Sequence, residues 1–452
     1  MKQAIFVILG ATGDLARKKL IPSIYNLVKK NEIDNFAILG ISIEEVKEED
    51  LIEKSKKYVK NFDQKVWNKL KERYSYFQSD FYDGNQFCKL GLAVKSIEDK
   101  YQLNGNRIFY LATLPMHFKI IINNLKKCNI VKENNNWTRI VFEKPFGQNL
   151  KSAKEINQEI KKAFNEDQIF RIDHYLGKEL VQNVSVIRFT NTILEPLWNH
   201  EHIDHIQIIL SENEGIGQRG AFYDKYGAIK DVVQNHMLQL LALITMNAPK
   251  VLVAKDIRDE KVKVLKSVEI EDVVLGQYEG YKNEKGVFKD SNTETLAALK
   301  LKIKNSNWKD VPIYLITGKK MSEKSSLIYI QFKKPPCLLF EESCTLINNH
   351  LIIKIQPDEG FHIQLNSKMP GKMKIVPVKM DFCHECTFGP DSPEAYENLF
   401  LDVINGDQSS FIRTDEIEQQ WKIVDNIKKG KIYEYKEGLI PKQANLINWY
   451  KE

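Results

Sequence analysis

Three short stretches of this sequence carry side chains suited to moving a proton and holding an anion. The first is Asp231-Val232-Val233-Gln234-Asn235-His236, which opens a long apolar segment ending near Met246. Imidazole is the natural general base near neutral pH, and a carboxylate on its far nitrogen fixes the tautomer and stabilises the cation. Asp173 is available for that partnership; the competing reading is a satisfied core histidine. The second stretch, Arg171-Ile172-Asp173-His174-Tyr175-Leu176-Gly177-Lys178-Glu179, gathers charged and phenolic groups at the start of a predicted helix. His174 and Lys178 are four apart, so a helical turn would set them on one face. With Tyr175 and the free N–H groups there, they would form a phosphate seat. A capped helix with solvated charges explains this segment in isolation equally well. The third is Glu143-Lys144-Pro145-Phe146-Gly147, at the carboxyl end of a predicted fifth strand, where ligands of open α/β sheets sit. There Lys144 could bridge a cofactor and a substrate, or simply be a solvated lysine beside a proline turn.

A fourth motif concerns a nucleotide. The first strand runs into Gly10-Ala11-Thr12-Gly13-Asp14-Leu15-Ala16, followed by a helix. Glycines at such a turn let the backbone approach a pyrophosphate, whose charge meets free N–H groups and the helix dipole. The spacing is not the three-glycine fingerprint, but its place on the first strand of a βαβ array favours nucleotide binding over plain turn chemistry. Gly10, Thr12, Gly13, Asp14, Leu15, Ser42 and Lys144 are the expected cofactor residues. After the second strand comes Gly40-Ile41-Ser42-Ile43-Glu44-Glu45. A 2′-phosphate calls for a guanidinium or ammonium there, and an unphosphorylated ribose tolerates an acid. Ile43 supplies neither, Ser42 can bond either form, and Arg17, Lys18 or Lys47 could reach a phosphate if the loop folds favourably.

The elements that must position these groups follow from periodicity. Up to about residue 170, short β-branched or aromatic runs (4–9, 36–41, 74–78, 107–112, 139–142) alternate with helix-like stretches (15–30, 85–99, 116–127, 150–164). That alternation calls for a parallel sheet wrapped on both sides. Beyond it come two helical stretches, 176–187 and 228–246, and strand-like runs at 203–210, 295–303, 313–317, 327–332 and 351–356, with helices returning at 394–404 and 415–427. The expected fold is an α/β Rossmann-type dinucleotide-binding domain (residues 1–170) followed by an α+β domain with a large, mostly antiparallel sheet (residues 171–452).

Composition sets outer bounds. The 452 residues are 43% hydrophobic and 28% charged, the balance of a soluble globular protein. Net charge is +6, but 66 basic residues are interspersed with 60 acidic ones, so no nucleic-acid footprint is expected. No apolar run is long enough for a bilayer, and the N-terminal stretch reads as a buried strand, so neither a membrane nor a signal peptide is expected and the cytoplasm is the expected location.

Taken together, these motifs resemble glucose-6-phosphate dehydrogenases, and the likeness covers most of the chain. It is carried by GATGDLARKKLIPSIYNL, FEKPFG, RIDHYLGKELVQN, PLWN, DVVQNH, RDEKVKVLKS, VVLGQY and the turn Gly318-Lys319-Lys320-Met321-Ser322-Glu323-Lys324. The resemblance implies that His236 removes the C1 hydroxyl proton of glucose 6-phosphate, with Asp173 as its partner. It implies His174, Tyr175 and Lys178 on the phosphate, and Lys144, Glu212, Asp231 and Lys319 on the sugar hydroxyls, with Lys324 as a further positive charge nearby. Hydride would pass to NADP, giving 6-phosphoglucono-δ-lactone without a metal. Members that prefer NADP usually carry arginine where this chain has Ile43, so NAD or dual use is also expected. The family likeness further implies a homodimer or homotetramer.

Two rival readings compete with this one. Another Rossmann sugar oxidoreductase would not need the phosphate seat, and a non-catalytic dinucleotide sensor would be expected to have lost His236, Asp173 or Lys144. Cys383-His384-Glu385-Cys386 has zinc-knuckle spacing but lacks a second pair nearby, so no metal is expected. The six cysteines read as reduced thiols, and His200, His202 and His205 as surface histidines, with His205 on the opposite side of a strand from the other two.

Overall fold

The computed structural model describes residues 2–131, 136–334, 346–372, 374–389, 392–428 and 430–450. The chain divides into two compact units. One comprises Met1–Lys178, Val251–Arg258 and Pro393–Glu418; the other comprises Glu179–Lys250, Asp259–Ser392 and Gln419–Glu452.

The first unit is built on strands β1 (Gln3–Leu9), β2 (Asn35–Ser42), β3 (Tyr74–Gln78), β4 (Arg107–Leu111), β5 (Thr138–Phe142) and β6 (Ile169–Arg171). They form one sheet in the order β3-β2-β1-β4-β5-β6, with every pair parallel. A parallel sheet is covered on both faces, which is why β1 and β2 are apolar almost throughout instead of alternating. Leu9 lies opposite both Ile41 and Leu111, so the central strands end level with one another. Chain order reverses direction from β1, making its carboxyl end the switch point where open α/β sheets take ligands.

Late residues complete this unit. In helix Ala395–Asn405, Phe400 stands edge-on to Phe6 with ring centroids 5.5 Å apart, and Phe411 does the same to Phe170 at 4.8 Å. An isolated bridge pairs Ile172 with Phe411, anchoring the chain just before Asp173.

The second unit contains β7 (Ile203–Ser211), β8 (Val268–Tyr278), β9 (Leu296–Ile303), β10 (Ile313–Gly318), β11 (Ser325–Phe332), β12 (His350–Gln356), β13 (Gly360–Lys368), β14 (Ile375–Cys383) and β15 (Ile432–Tyr435). Their order is β14-β13-β12-β11-β7-β10-β9-β8-β15. All pairs are antiparallel except β7 with β10 and β8 with β15. The middle strands are buried along most of their length, whereas β14 is largely exposed.

Several expectations need correction. Cys88 and Cys128 are joined by a disulfide, as are Cys383 and Cys386; Cys337 and Cys344 lie outside the described residues. Residues 88 and 128 meet because helices Gly84–Tyr101 and Phe118–Lys127 pack together, a tertiary fact invisible in local spacing. His205 is buried, bonded through Nδ1 to Asp204 at 2.7 Å and through Nε2 to Gln207 at 3.1 Å. Residues His205–Ser211 of its strand are all buried, so both faces of the sheet are covered there. No helix among the described residues is long and apolar enough to cross a membrane.

Candidate active site

In the first unit, β1 ends in the loop Gly10–Gly13, and a helical segment opens at Asp14. Gly10 has φ +98°, and a Cβ there would lie 2.5 Å from the carbonyl oxygen of Ala112. Glycine is therefore demanded by the close passage of the chain leaving β4, a tighter reason than ligand approach alone. Gly10 and Ala11 donate their N–H groups to the carbonyl of Ile41, which pins the loop to the end of β2. Helical N–H groups of a first turn have no acceptor inside the helix, so this end fits a pyrophosphate. Thr12 Oγ1 sits 2.9 Å from Ser42 Oγ, bringing together two of the expected cofactor residues, one from the glycine loop and one from the end of β2. The Asp14 carboxylate is exposed, pairs with Lys18 at 2.7 Å and with Arg17, and is held below the usual carboxylate range chiefly by the Lys18 hydrogen bond.

At the end of β5, Glu143 accepts hydrogen bonds from the hydroxyls of Tyr110 at 2.6 Å and Tyr396 at 3.1 Å. Burial pushes the Glu143 carboxyl up, against the opposing pull of the two phenols and Lys144. Sequence reasoning singled out Lys144 and missed this acid. The signal was present in the FEKPFG string, but the phenols that enclose Glu143 come from distant parts of the chain.

The RIDHY segment leaves β6 under tight control. Arg171 is fully buried, reaching Glu166 at 2.6 Å and Thr414 at 2.9 Å. Burial opposes the charge of Glu166, but the adjoining Arg171 guanidinium and Thr414 outweigh it and hold the carboxyl below its ordinary range. Asp173 is buried, and its Oδ1 accepts from the N–H of Tyr175 at 3.0 Å. Residues 174–177 form turns, and the helix begins only at Glu179. The helical-face argument for His174 and Lys178 is thus corrected: what joins this group is a turn, with the His174 and Tyr175 rings 5.1 Å apart and Lys178 Nζ 5.4 Å from the Tyr175 ring. Gly177 is required because a Cβ would press within 2.7 Å of the Ala395 carbonyl, and Asn398 donates to the Gly177 carbonyl at 3.1 Å.

In the second unit, helix Gly220–Ala228 is interrupted at Gly227 (φ +66°), where a Cβ would strike the Glu294 carboxylate. That carboxylate accepts from the N–H of Ile229 at 3.2 Å, satisfying a donor at the start of the next segment. Residues Ile229–Met237 are wound as a π-helix before α-helix Leu238–Thr245 continues. A helix bonded from i to i+5 turns by less per residue than an α-helix, so residues five apart differ by about 50° in azimuth, whereas an α-helix would leave them about 140° apart. Asp231 and His236 are such a pair, and both are buried. Arg219 approaches Asp231 at 3.4 Å.

Past the parallel strands β7 and β10, Glu212 and Lys319 meet with Lys319 Nζ 2.6 Å from Glu212 Oε2. Lys319 is buried, stands 5.2 Å from the Tyr223 ring, and has its carbonyl held by the Tyr435 hydroxyl at 2.7 Å. Tyr223 is pushed far above the ordinary phenol range, first by burial and then by Asp231, Glu294 and Glu212. Tyr223 is a further residue that sequence reasoning passed over. Lys324 is exposed on the turn before β11 and, among the described residues, makes no hydrogen bond or ion pair.

A six-stranded parallel sheet with a glycine loop on its first strand, followed by a sheet domain bearing a buried aspartate, a buried histidine and a buried lysine, is the frame of a Rossmann-type, dinucleotide-dependent oxidoreductase. Two family models match, the glucose-6-phosphate dehydrogenase NAD binding domain over residues 7–183 and the glucose-6-phosphate dehydrogenase C-terminal domain over residues 185–447. The chain belongs to the glucose-6-phosphate dehydrogenase family. It is 44% identical to glucose-6-phosphate 1-dehydrogenase of Chlamydia pneumoniae, covering 93% of this chain and 88% of the relative. It is 42% identical to the Bacillus subtilis protein of the same name, covering 94% and 91%. A solved glucose-6-phosphate dehydrogenase in complex with its substrate glucose-6-phosphate superposes with a TM-score of 0.91 at 34% identity, covering 98% of this chain and 96% of the other.

Proposed function

We propose that the chain oxidises D-glucose 6-phosphate at C1 to 6-phospho-D-glucono-1,5-lactone with NADP or NAD as hydride acceptor, the first oxidative step of the pentose phosphate pathway. The observation that carries this reading is family membership across both domains, with RIDHYLGKE and DVVQNH present in the same chain.

His236 removes the C1 hydroxyl proton, and Asp173 holds its imidazole in the productive tautomer and stabilises the resulting cation. His174, Tyr175 and Lys178 receive the phosphate. Lys144, Glu212, Asp231 and Lys319 fix the sugar hydroxyls, and Lys324 adds positive charge nearby. Gly10, Thr12, Gly13, Asp14, Leu15, Ser42 and Lys144 hold the dinucleotide, which when bound supplies the hydride acceptor. As C1 becomes a carbonyl, its hydrogen leaves with two electrons and the hydroxyl proton goes to His236, so no charge is left on the sugar oxygen and no metal is required. Glucose 6-phosphate enters as a small-molecule partner, without nucleic acid or membrane.

The chain works in the cytoplasm as a homodimer or homotetramer. Support for the assembly is the row of exposed apolar residues Leu365, Val378 and Met380 on β13 and β14. Multi-angle light scattering of the purified chain tests it, and a monomer at micromolar concentration would end it. The reaction itself is tested by the rise of the reduced-nicotinamide absorbance with glucose 6-phosphate and either dinucleotide. Dinucleotide binding without turnover would favour a sensor instead.

A further inference from the structure

Resting on the reaction proposed above, we infer that Glu44 biases this chain toward NAD over NADP by occupying, with its carboxylate, the hydroxyl donors that a 2′-phosphate would need. In Rossmann domains the residues just beyond the second strand meet the adenosine ribose. An acid there accepts hydrogen bonds from the ribose hydroxyls, and an arginine accommodates the 2′-phosphate. Strand β2 ends at Ser42, and Glu44 lies two residues beyond it.

The geometry is specific. Thr12 donates to Glu44 Oε2 at 3.0 Å, and Ser42 donates to the same oxygen. The two hydroxyls that converge here from the glycine loop and from β2 are therefore both directed at a carboxylate. The turn carrying it is fastened from β3: the Tyr76 hydroxyl donates to the Ser42 carbonyl at 3.2 Å and to the Glu44 carbonyl, and Gln78 Nε2 donates to the Ile43 carbonyl at 3.0 Å. Glu44 is exposed but not a freely swinging surface acid. The Ser42 hydrogen bond holds its carboxyl below the usual range, so it is charged at neutral pH.

The cations that might offset it are engaged or displaced. Arg17 and Lys18 both pair with Asp14. The Ile43 side chain is exposed and uncharged. Lys47 is the next cation along the chain, and Glu45, Glu48, Glu49 and Asp50 surround it in sequence. A 2′-phosphate placed beside Glu44 would meet like charge without a guanidinium to neutralise it, whereas a ribose diol would meet an acceptor.

The test compares kcat/KM for NAD and NADP at saturating glucose 6-phosphate, using the full chain and the variants Glu44→Gln and Ile43→Arg/Glu44→Gln. The expected result is an NAD preference of about tenfold or more. That preference should shrink in Glu44→Gln and reverse in the double variant. An unaltered chain that favours NADP, or a ratio unmoved by Glu44→Gln, overturns the inference. Titrations with NADH and NADPH, read by nicotinamide fluorescence, separate this from failure of the reaction itself. If neither dinucleotide supports turnover, tighter NADH binding that weakens relative to NADPH in Glu44→Gln still upholds the role of Glu44, and equal binding removes it.

Discussion

The Lys319 ammonium lies 2.6 Å from the Glu212 carboxylate, joining the ends of β10 and β7, the one parallel pair inside the antiparallel body of the second sheet. Parallel pairing sends both strands out of the sheet at the same edge, so the two side chains leave it together. Lys319 is buried while the Glu212 side chain is nearly half exposed, so the pair is anchored on one side and accessible on the other. Replacing Lys319 by Met should raise KM for glucose 6-phosphate and lower kcat/KM by about ten- to a hundredfold, the range for losing a hydrogen bond from a charged donor. Unchanged steady-state kinetics would remove Lys319 from the sugar site.

His236→Asn tests the base. A single positioned base contributes about 10²–10⁴-fold, so turnover should fall by that order while glucose 6-phosphate binding, followed by isothermal titration, stays close to that of the parent. Near-normal turnover would sink the assignment of His236.

Lys178 and Tyr175 are drawn together by a turn and not by a helical face. If they seat the phosphate, Lys178→Ala should raise KM for glucose 6-phosphate far more than for unphosphorylated glucose. Equal effects on both sugars would place Lys178 elsewhere.

The ion pair of fully buried Arg171 with partly buried Glu166 makes a prediction about acid. The Glu166 carboxyl is held below its unfolded value, so its contribution to stability is fully present above the unfolded pKa and is lost as pH falls through the folded one. Glu166→Gln should cost about 3–5 kcal/mol at neutral pH, because Arg171 would be left buried beside an uncharged partner. The gap between parent and variant in urea unfolding should then narrow as pH falls through the lowered range in which the parent carboxyl takes up its proton. A gap constant with pH would show that the ion pair is not its source.

Much of the first sheet was legible because parallel strands buried on both faces write themselves as apolar runs, as Ala4–Leu9 and Phe36–Ile41 do. Strand β6, only three residues long, offered no periodicity, and helices Glu48–Lys56 and Gln64–Glu72 were hidden by their charge. In the second unit, β13 and β14 escaped notice because they are half exposed and interrupted by Lys, Asn and Pro. The candidate site residues were named from motifs, whereas the Glu143 cage was not, since Tyr110 and Tyr396 stand 33 and 253 residues away from it. The winding of 229–237 was equally hidden, because an apolar helix pattern with a five-residue interval between Asp231 and His236 reads as ordinary α-helix.

That winding has a consequence for how the chain tolerates change in length. Deleting one residue, Val233 for example, would let residues 229–236 return to regular α-helical pitch at the cost of one buried valine side chain. Asp231 and His236 would then stand four apart, about 40° from each other in azimuth, so the acid and the histidine would keep a common face. The same deletion inside Leu238–Thr245 would instead turn every later side chain by about 100°, which makes the wide turn the place where this helix can absorb a change in length without changing which side chains face together.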